Sequence, residues 1–365
     1  MTGPTHADQT YVRSYNEALV LALARTTPTL DRTSVADATG LTPQAVSKVL
    51  GRLIEHGLVE VAGVRRQGVG KPSSVYRLVV TSRYAIGAHV ARRSLRLVLT
   101  DLAGEVRHSA VTPLPDDFTP EDLLSRLSTG IAAITASHPE TEGRLTGVGI
   151  GMVGPLDHAD GTVRDAHRLR HWHDIPLRAL ATETLGLPVH LDKDVTAGVT
   201  AEAWRRRGAF HEAALIMVES GIGAGLWLGG RPHRGAHTNA GEFGHTVVQF
   251  GGPPCVCGRR GCLEIVHDRA VEAGDLDLAA RVLATGVVNL LQTIDVDHVV
   301  LAGADLIRHA EVYRNAVRDA IRTDVRRADW LTVDVTLSSM GADVIAAGAA
   351  MQMLNTRYGM PVRAG

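Results

Sequence analysis

The chain has 365 residues, is 45% hydrophobic and 21% charged, and carries a formal net charge of −1. That composition builds hydrophobic cores and excludes disorder, and the length suits two or three domains. A near-neutral chain is not a polybasic nucleic-acid binder, so any DNA-binding surface has to be local. The amino terminus is polar and lacks an apolar signal core, and the most apolar stretches (Leu145 to Leu156, Ala213 to Gly230) are short, glycine-rich or interrupted by Glu219. None reads as a membrane span, so a soluble, cytoplasmic protein with no membrane partner is expected.

In chain order, a first helix is expected from Val12 to Ala24. A second opens on Ser34-Val35-Ala36-Asp37, a pattern in which Ser34 and Asp37 satisfy each other's exposed amides, and stops at Gly40. The third has Thr42 as cap and Pro43 at the first helical position, where the missing N–H costs nothing, and ends at Gly57. Along it, Val46, Val49, Leu50 and Leu53 follow the 3.6-residue period and face a core. Gln44, Ser47, Lys48 and Arg52 lie on the opposite side, where with the capping Thr42 they can reach bases or phosphates from a major groove. A hairpin follows, with strands at Leu58–Val61 and Val75–Val79 and a tip containing Arg65, Arg66 and Lys71. From Thr42 to Arg77 there are six Lys or Arg and two Glu, a local net charge of +4. This is the pattern of a winged helix-turn-helix whose basic wing contacts double-stranded DNA.

The region 80–84 is the natural boundary. Residues 84–110 read as a β-hairpin with its turn at Asp101 to Gly104. Beyond it, helices alternate with glycine-bounded apolar runs such as Leu145–Val153, Leu215–Trp227 and His298–Ala302, which indicates α/β architecture. All three cysteines fall between Cys255 and Cys262, too few and too close for a disulfide framework. Cys255, Cys257 and Cys262 with the upstream His245 supply the four ligands of a closed, structural Zn2+ site. The chain has 17 histidines; His167, His171 and His173, around Trp172, read as an exposed polar loop rather than a second metal site.

Taken together, the chain resembles the ROK family of repressors, open reading frames and sugar kinases, in its repressor branch. The most specific stretch is Gly241-Glu242-Phe243-Gly244-His245 followed by Cys255-x-Cys257-Gly-x-x-Gly-Cys262-Leu263-Glu264; Gly70-Lys71-Pro72 is similar to the wing of that branch. The resemblance implies a winged helix-turn-helix (residues 1–81) followed by a two-lobed, actin-like, sugar-kinase-like domain. Its α/β lobes span residues 82–198 and 199–365, with the last helix free to return to the first lobe. It also implies that Glu242, His245 and Glu264 bind sugar hydroxyls, His245 serving zinc and sugar through different ring nitrogens. Asp194 stands at the position of the kinase base, and Lys193 replaces the usual sugar-binding Asn. Pairing of Lys193 with Asp194 is the expected arrangement; an acidic or phosphorylated sugar is the alternative.

Gly221-Ile222-Gly223-Ala224-Gly225 resembles the family's second phosphate loop, but Glu219 precedes it. The first phosphate loop is replaced by His89-Val90-Ala91-Arg92-Arg93, so no enzymatic activity is expected. The stretch from Glu264 to Gly286 is shorter than the family's usual length, which leaves the oligomer, a homodimer or dimer of dimers, open. The leading expectation is a repressor of carbohydrate-related genes that binds operator DNA and senses a sugar or sugar derivative without phosphorylating it. The alternatives are an ATP-dependent sugar kinase with a DNA-binding arm, and a constitutive DNA-binding regulator with a ligand-free dimerisation scaffold.

Overall fold

The computed structural model describes residues 6–65, 73–166, 169–206, 210–325 and 332–359. The first module comprises α1 (His6–Thr26), α2 (Arg32–Thr39), α3 (Pro43–Glu55) and the antiparallel pair β1 (Val59–Arg65) and β2 (Ser73–Leu78). Helix α3 follows its expected pattern: Thr42 accepts the Ala45 amide, Pro43 occupies the first turn, and Val46, Val49, Leu50 and Leu53 are buried. The start of α2 differs from expectation. Its capping box joins Asp31 to Ser34, not Ser34 to Asp37, because Asp31 accepts the Ser34 amide while Ser34 Oγ accepts the Asp31 amide. The end of α2 is as expected, at left-handed Gly40. Helix α1 is longer than the apolar period suggested.

The first lobe contains β3 (Tyr84–Val90), β4 (Ser94–Asp101), β5 (Val106–Pro113), α4 (Pro120–Ser137) and β6 (Leu145–Met152). It continues through the short strands β7 (Leu156–Asp157), β8 (Thr162–Asp165) and β9 (His173–Ile175), then α5 (Leu177–Leu185), β10 (Val189–Lys193) and α6 (Asp194–Arg205). Residues 84–110 are thus part of a three-stranded meander rather than a single hairpin, with an extra turn at Ala91–Arg93.

The second lobe contains β11 (Ala213–Val218), β12 (Ile222–Leu228), β13 (Arg231–His233), α7 (Leu263–Glu272), α8 (Leu276–Ile294) and β14 (His298–Ala302). After these come α9 (Ala304–Ile307), α10 (Ala310–Asp324), β15 (Asp334–Leu337) and α11 (Val344–Tyr358). The apolar run Leu215–Trp227 falls on two antiparallel strands, β11 and β12, separated by the turn Glu219–Gly221.

Each lobe is built on a five-stranded sheet, in the orders β10-β6-β3-β4-β5 and β15-β14-β11-β12-β13. The pairing senses also match: the central strand of each is the first in chain order, antiparallel to the second and parallel to the fourth. The lobes are therefore topological duplicates. Helices cover both faces of each sheet, so β3 and β11 are buried throughout and read as continuous apolar runs. Helices α4 and α5 close the outer face of the first sheet, and α8 and α10 that of the second.

Helices α6 and α11 lie between the two sheets, packed on each other and on both lobes. Small residues make this possible. A Cβ on Gly149 of β6 would stand 1.8 Å from the Ala349 carbonyl oxygen of α11. A Cβ on Gly348 of α11 would stand 1.8 Å from the Ala197 carbonyl oxygen of α6. The last helix therefore does return to the first lobe. It also reaches the amino-terminal module: Ala350, Met353 and Leu354 share one buried cluster with Val20, Leu21, Leu50, Leu53, Tyr76 and Leu78. The winged-helix core is thus completed by the end of the chain.

Gly149→Val should lower stability by about 3 kcal/mol or more, since the backbone it would strike cannot rotate away. Gly51→Ala, in an exposed position of α3 with nothing within 4 Å, should instead raise stability by about 0.5–1 kcal/mol. Urea unfolding of the two variants checks both signs.

Candidate functional site

Three groups of side chains form the candidate sites: the cysteines with His245, the polar residues between the lobes, and the exposed face of α3.

The turn Phe243–His245 and the loop before α7 bring His245, Cys255, Cys257 and Cys262 together, with all four ligand atoms within 4.8 Å of one another. Cys255 Sγ lies 3.6 Å from His245 Nδ1, and Cys257 Sγ lies 3.6 Å from Cys262 Sγ. A tetrahedron with metal–sulfur bonds of about 2.3 Å has edges of about 3.8 Å, so the cluster matches the size of a divalent-cation site. The loop folds this tightly because Gly258 and Gly261 both take positive φ. Burial pushes the Cys262 thiol up, a cost that a bound cation would reverse by stabilising the thiolate. Cys262 is also the residue preceding α7, so the cluster fixes the start of that helix and hence Glu264 in its first turn.

The cleft between the lobes is lined by Arg92, Gly154, Lys193, Asp194, Glu242, His245 and Glu264, among others. The five candidate ligand residues therefore converge on one space. His245 presents Nδ1 to the sulfurs while its ring borders the cleft. Glu264 is buried and accepts the Ile222 amide at 2.9 Å. The expected pairing of Lys193 with Asp194 does not occur. Lys193 Nζ reaches across the cleft to Glu242 Oε1 at 2.5 Å and to the Ala240 carbonyl at 3.1 Å, with its side chain only 4% exposed. The reason is local: Lys193 ends a strand and Asp194 begins a helix, so neighbouring side chains diverge. Asp194 Oδ1 instead accepts the Val195 amide at 2.7 Å. Burial pushes its carboxyl up from the usual aspartate range, partly offset by His89.

A second cross-lobe connection has no local signature in the sequence. Asp192 is fully buried and takes two bonds on Oδ2 from the Arg234 guanidinium, at 2.9 and 2.7 Å, and a third from Gln352 Nε2 at 2.8 Å. Its other oxygen accepts the Lys193 amide. One carboxylate thereby joins β10, α11 and the segment after β13, directly behind the cleft. A lone Asp two residues before Asp194 was the only visible sign of it.

On α3, Thr42, Gln44, Ser47 and Lys48 are exposed. Arg52 is half-buried and turned back to form an ion pair with Glu17 of α1. Arg65 is 3.6 Å from Asp31, which ties the wing to the α2 cap; Arg66 and Lys71 lie outside the described residues. In the histidine-rich loop, His171 and His173 are exposed and Trp172 is fully buried against Phe118; His167 lies outside the described residues. The stretch after Glu264 forms two helices, α7 and α8.

Among the described residues, no helix is long and apolar enough to cross a membrane. The sequence model of the ROK family matches residues 85–274. A xylose repressor of Bacillus spizizenii is 25% identical over 94% of this chain and 95% of its own. The DNA-binding transcriptional repressor Mlc of Escherichia coli is 25% identical over 95% and 94%. Among solved structures, a ROK family transcriptional regulator homologous to the Escherichia coli MLC protein superposes with a TM-score of 0.78 at 20% identity, covering 96% of this chain and 98% of that one. A ROK hexokinase from Thermus thermophilus superposes with a TM-score of 0.58 at 26% identity, covering 73% and 97%.

Burial holds His89 and His190 down to about 4. In the unfolded chain both protonate near 6.5, so the unfolded state binds more protons between these values. Stability is therefore full above pH 6.5 and should fall as pH drops from about 6.5 to 4. Asp194 and Glu219, whose carboxyls burial pushes up, act with the opposite sign. Urea midpoints between pH 7 and 4.5 should decline, and His89→Gln should flatten the decline. An unaltered slope in that variant would contradict a neutral, buried His89.

Proposed function

The chain belongs to the ROK family, and from that premise we propose that it is a transcriptional repressor of carbohydrate-related genes. In this reading residues 1–81 bind operator DNA, and residues 82–198 and 199–365 form the lobes that hold a sugar or sugar derivative as effector. The observation that carries the reading is the course of α6. It starts at Asp194 in the cleft and runs 12 residues, about 18 Å, to Trp204 and Arg205. There the Arg25 guanidinium of α1 lies 4.5 Å from the centre of the Trp204 ring. Trp204 Nε1 also donates to Ala103 at 2.9 Å, and Arg205 pairs with Glu105 at 2.6 Å. One helix thus has the effector cleft at its first turn and the DNA-binding module at its last.

The sugar hydroxyls fall to Glu242, His245, Glu264 and Asp194, with Lys193 as the cross-cleft latch on Glu242. A ligand that competes for Glu242 changes the latch, the lobe angle and the end of α6. The cation held by His245 and the three cysteines is a structural zinc, on the grounds of its sulfur-rich, four-ligand donor set. It supplies rigidity, keeping His245 and Glu264 aimed at the cleft. Thr42, Gln44, Ser47, Lys48 and Arg65 face the operator, and Arg66 and Lys71 are assigned to DNA contact from the basic sequence of the wing; Arg52 acts mainly through α1. A homodimer presents two such modules to a two-part operator.

No phosphoryl transfer is proposed. Arg92 stands in the cleft where a phosphate loop would need room, and Glu219, on the turn between β11 and β12, lines a second cavity with Asp305. Carboxylates there oppose a polyphosphate. The kinase alternative keeps one favourable observation, the half-buried Asp194 carboxylate. It requires sugar-dependent ATP consumption that Asp194→Asn abolishes, and none is expected.

Titrating the protein on its own upstream DNA with a sugar panel should reveal a sugar that changes DNA affinity by roughly 5–150-fold. Arg25→Gln should leave sugar binding intact but reduce that change to less than about twofold. No specific DNA fragment bound, or full coupling in the variant, would overturn the reading. Metal analysis should return one zinc per chain, lost in Cys262→Ser together with about 10–100-fold of sugar affinity through the displaced Glu264.

A further inference from the structure

Two consecutive arginines form the turn between β3 and β4, and they are used differently. Arg93 points outward and pairs with Asp116 at 2.8 Å. Arg92 points inward and lines the cleft beside Lys193, Asp194, Glu242 and Glu264. Its Nε is sealed from solvent with no hydrogen-bond partner. No carboxylate comes within ion-pair distance of its guanidinium among the described residues, although most other arginines near the cleft and the lobe junction are paired, such as Arg96 with Asp343 and Arg234 with Asp192.

A guanidinium presents five donors in a flat fork that matches the two oxygens of a carboxylate or phosphate. Leaving it half-buried and unpaired is costly, and retaining it in a ligand cleft makes sense when the ligand completes it. The other cation of the cleft cannot serve, because Lys193 is already taken by Glu242 and the Ala240 carbonyl. Glu242, Glu264 and Asp194 are acceptors, suited to hydroxyl donors and unfavourable to an anion placed on them. The cleft is therefore polarised: hydroxyl-binding carboxylates on one part of the wall, one uncommitted guanidinium on another.

We propose that Arg92 is the specificity-determining residue for an anionic effector, a sugar carrying a carboxylate or a phosphate that the guanidinium grips bidentately. This rests on the sugar-effector reading above and narrows its ligand class. It also explains why the turn carries an arginine at a point where a small residue would leave more room for a neutral sugar.

The test is calorimetry on the full chain with matched ligands: glucose, glucuronate and glucose 6-phosphate; xylose and xylonate; and inorganic phosphate alone. At least one anionic sugar should bind ten-fold or more tightly than its neutral parent. The carboxylate and phosphate arms identify which anion is read. Arg92→Gln should erase that preference with the melting temperature unchanged, and Arg92→Lys should restore part of it. Neutral sugars binding as tightly as their anionic forms, or a preference that survives in Arg92→Gln, would overturn this inference and leave the sugar-effector reading standing. Phosphate alone binding as tightly as the sugar phosphate would overturn it too. Absence of binding by every compound would sink both.

Discussion

The structure depends on the close contact of α6 and α11 between two sheets. Helices normally keep their axes 8–10 Å apart to accommodate side chains. Here Gly348 lets the backbones of α6 and α11 meet, and Gly149 seats α11 on the first sheet. Bulkier residues at these points would push the lobes apart. Between them, the two helices reach the cleft and the amino-terminal module. One carries Asp194 at its start; the other offers Gln352 to Asp192 and completes the core of the winged helix. Densely packed elements of this kind transmit displacement instead of absorbing it.

Polar contacts across the cleft set how the lobes sit. Asp192 with Arg234 and Gln352, and Lys193 with Glu242, place buried charges in pairs that satisfy one another. Such pairs add little net stability over an apolar substitute, but removing one partner is expensive. Their value lies in specifying one arrangement, and in offering a ligand something to exchange. Glu242 is the exchangeable member, being 30% exposed and bordering the cleft. Asp192 is fully buried, so its clasp is not open to exchange with a ligand.

Much of this was legible from the residues. The two faces of α3 followed from the helical period because that helix is half-exposed, and the cysteine cluster from spacing alone. The residues that the family resemblance assigns to a sugar, Glu242, His245, Glu264 and Asp194, line one cleft. What escaped was long-range pairing. Arg234 and Gln352 are 42 and 160 residues from Asp192, and no local pattern links them. Lys193 pairs with Glu242, 49 residues away, for a related reason: adjacency in sequence is not adjacency of side chains at a strand-to-helix junction. The reciprocal cap of α2 joins Asp31 to Ser34, three residues before Ser34 and Asp37, because the two pairs share the same spacing and side-chain chemistry.

In the proposed function, α6 couples the cleft to the winged-helix module. Hydrogen exchange of the full chain, with and without a sugar shown by calorimetry to bind, tests it most directly. Altered protection is expected not only around Lys193 and Glu242 but also at the end of α6, in the turn Asp101–Glu105 and in the last turn of α1 near Arg25. Altered protection confined to the cleft, with α1 and the turn unchanged, would contradict it.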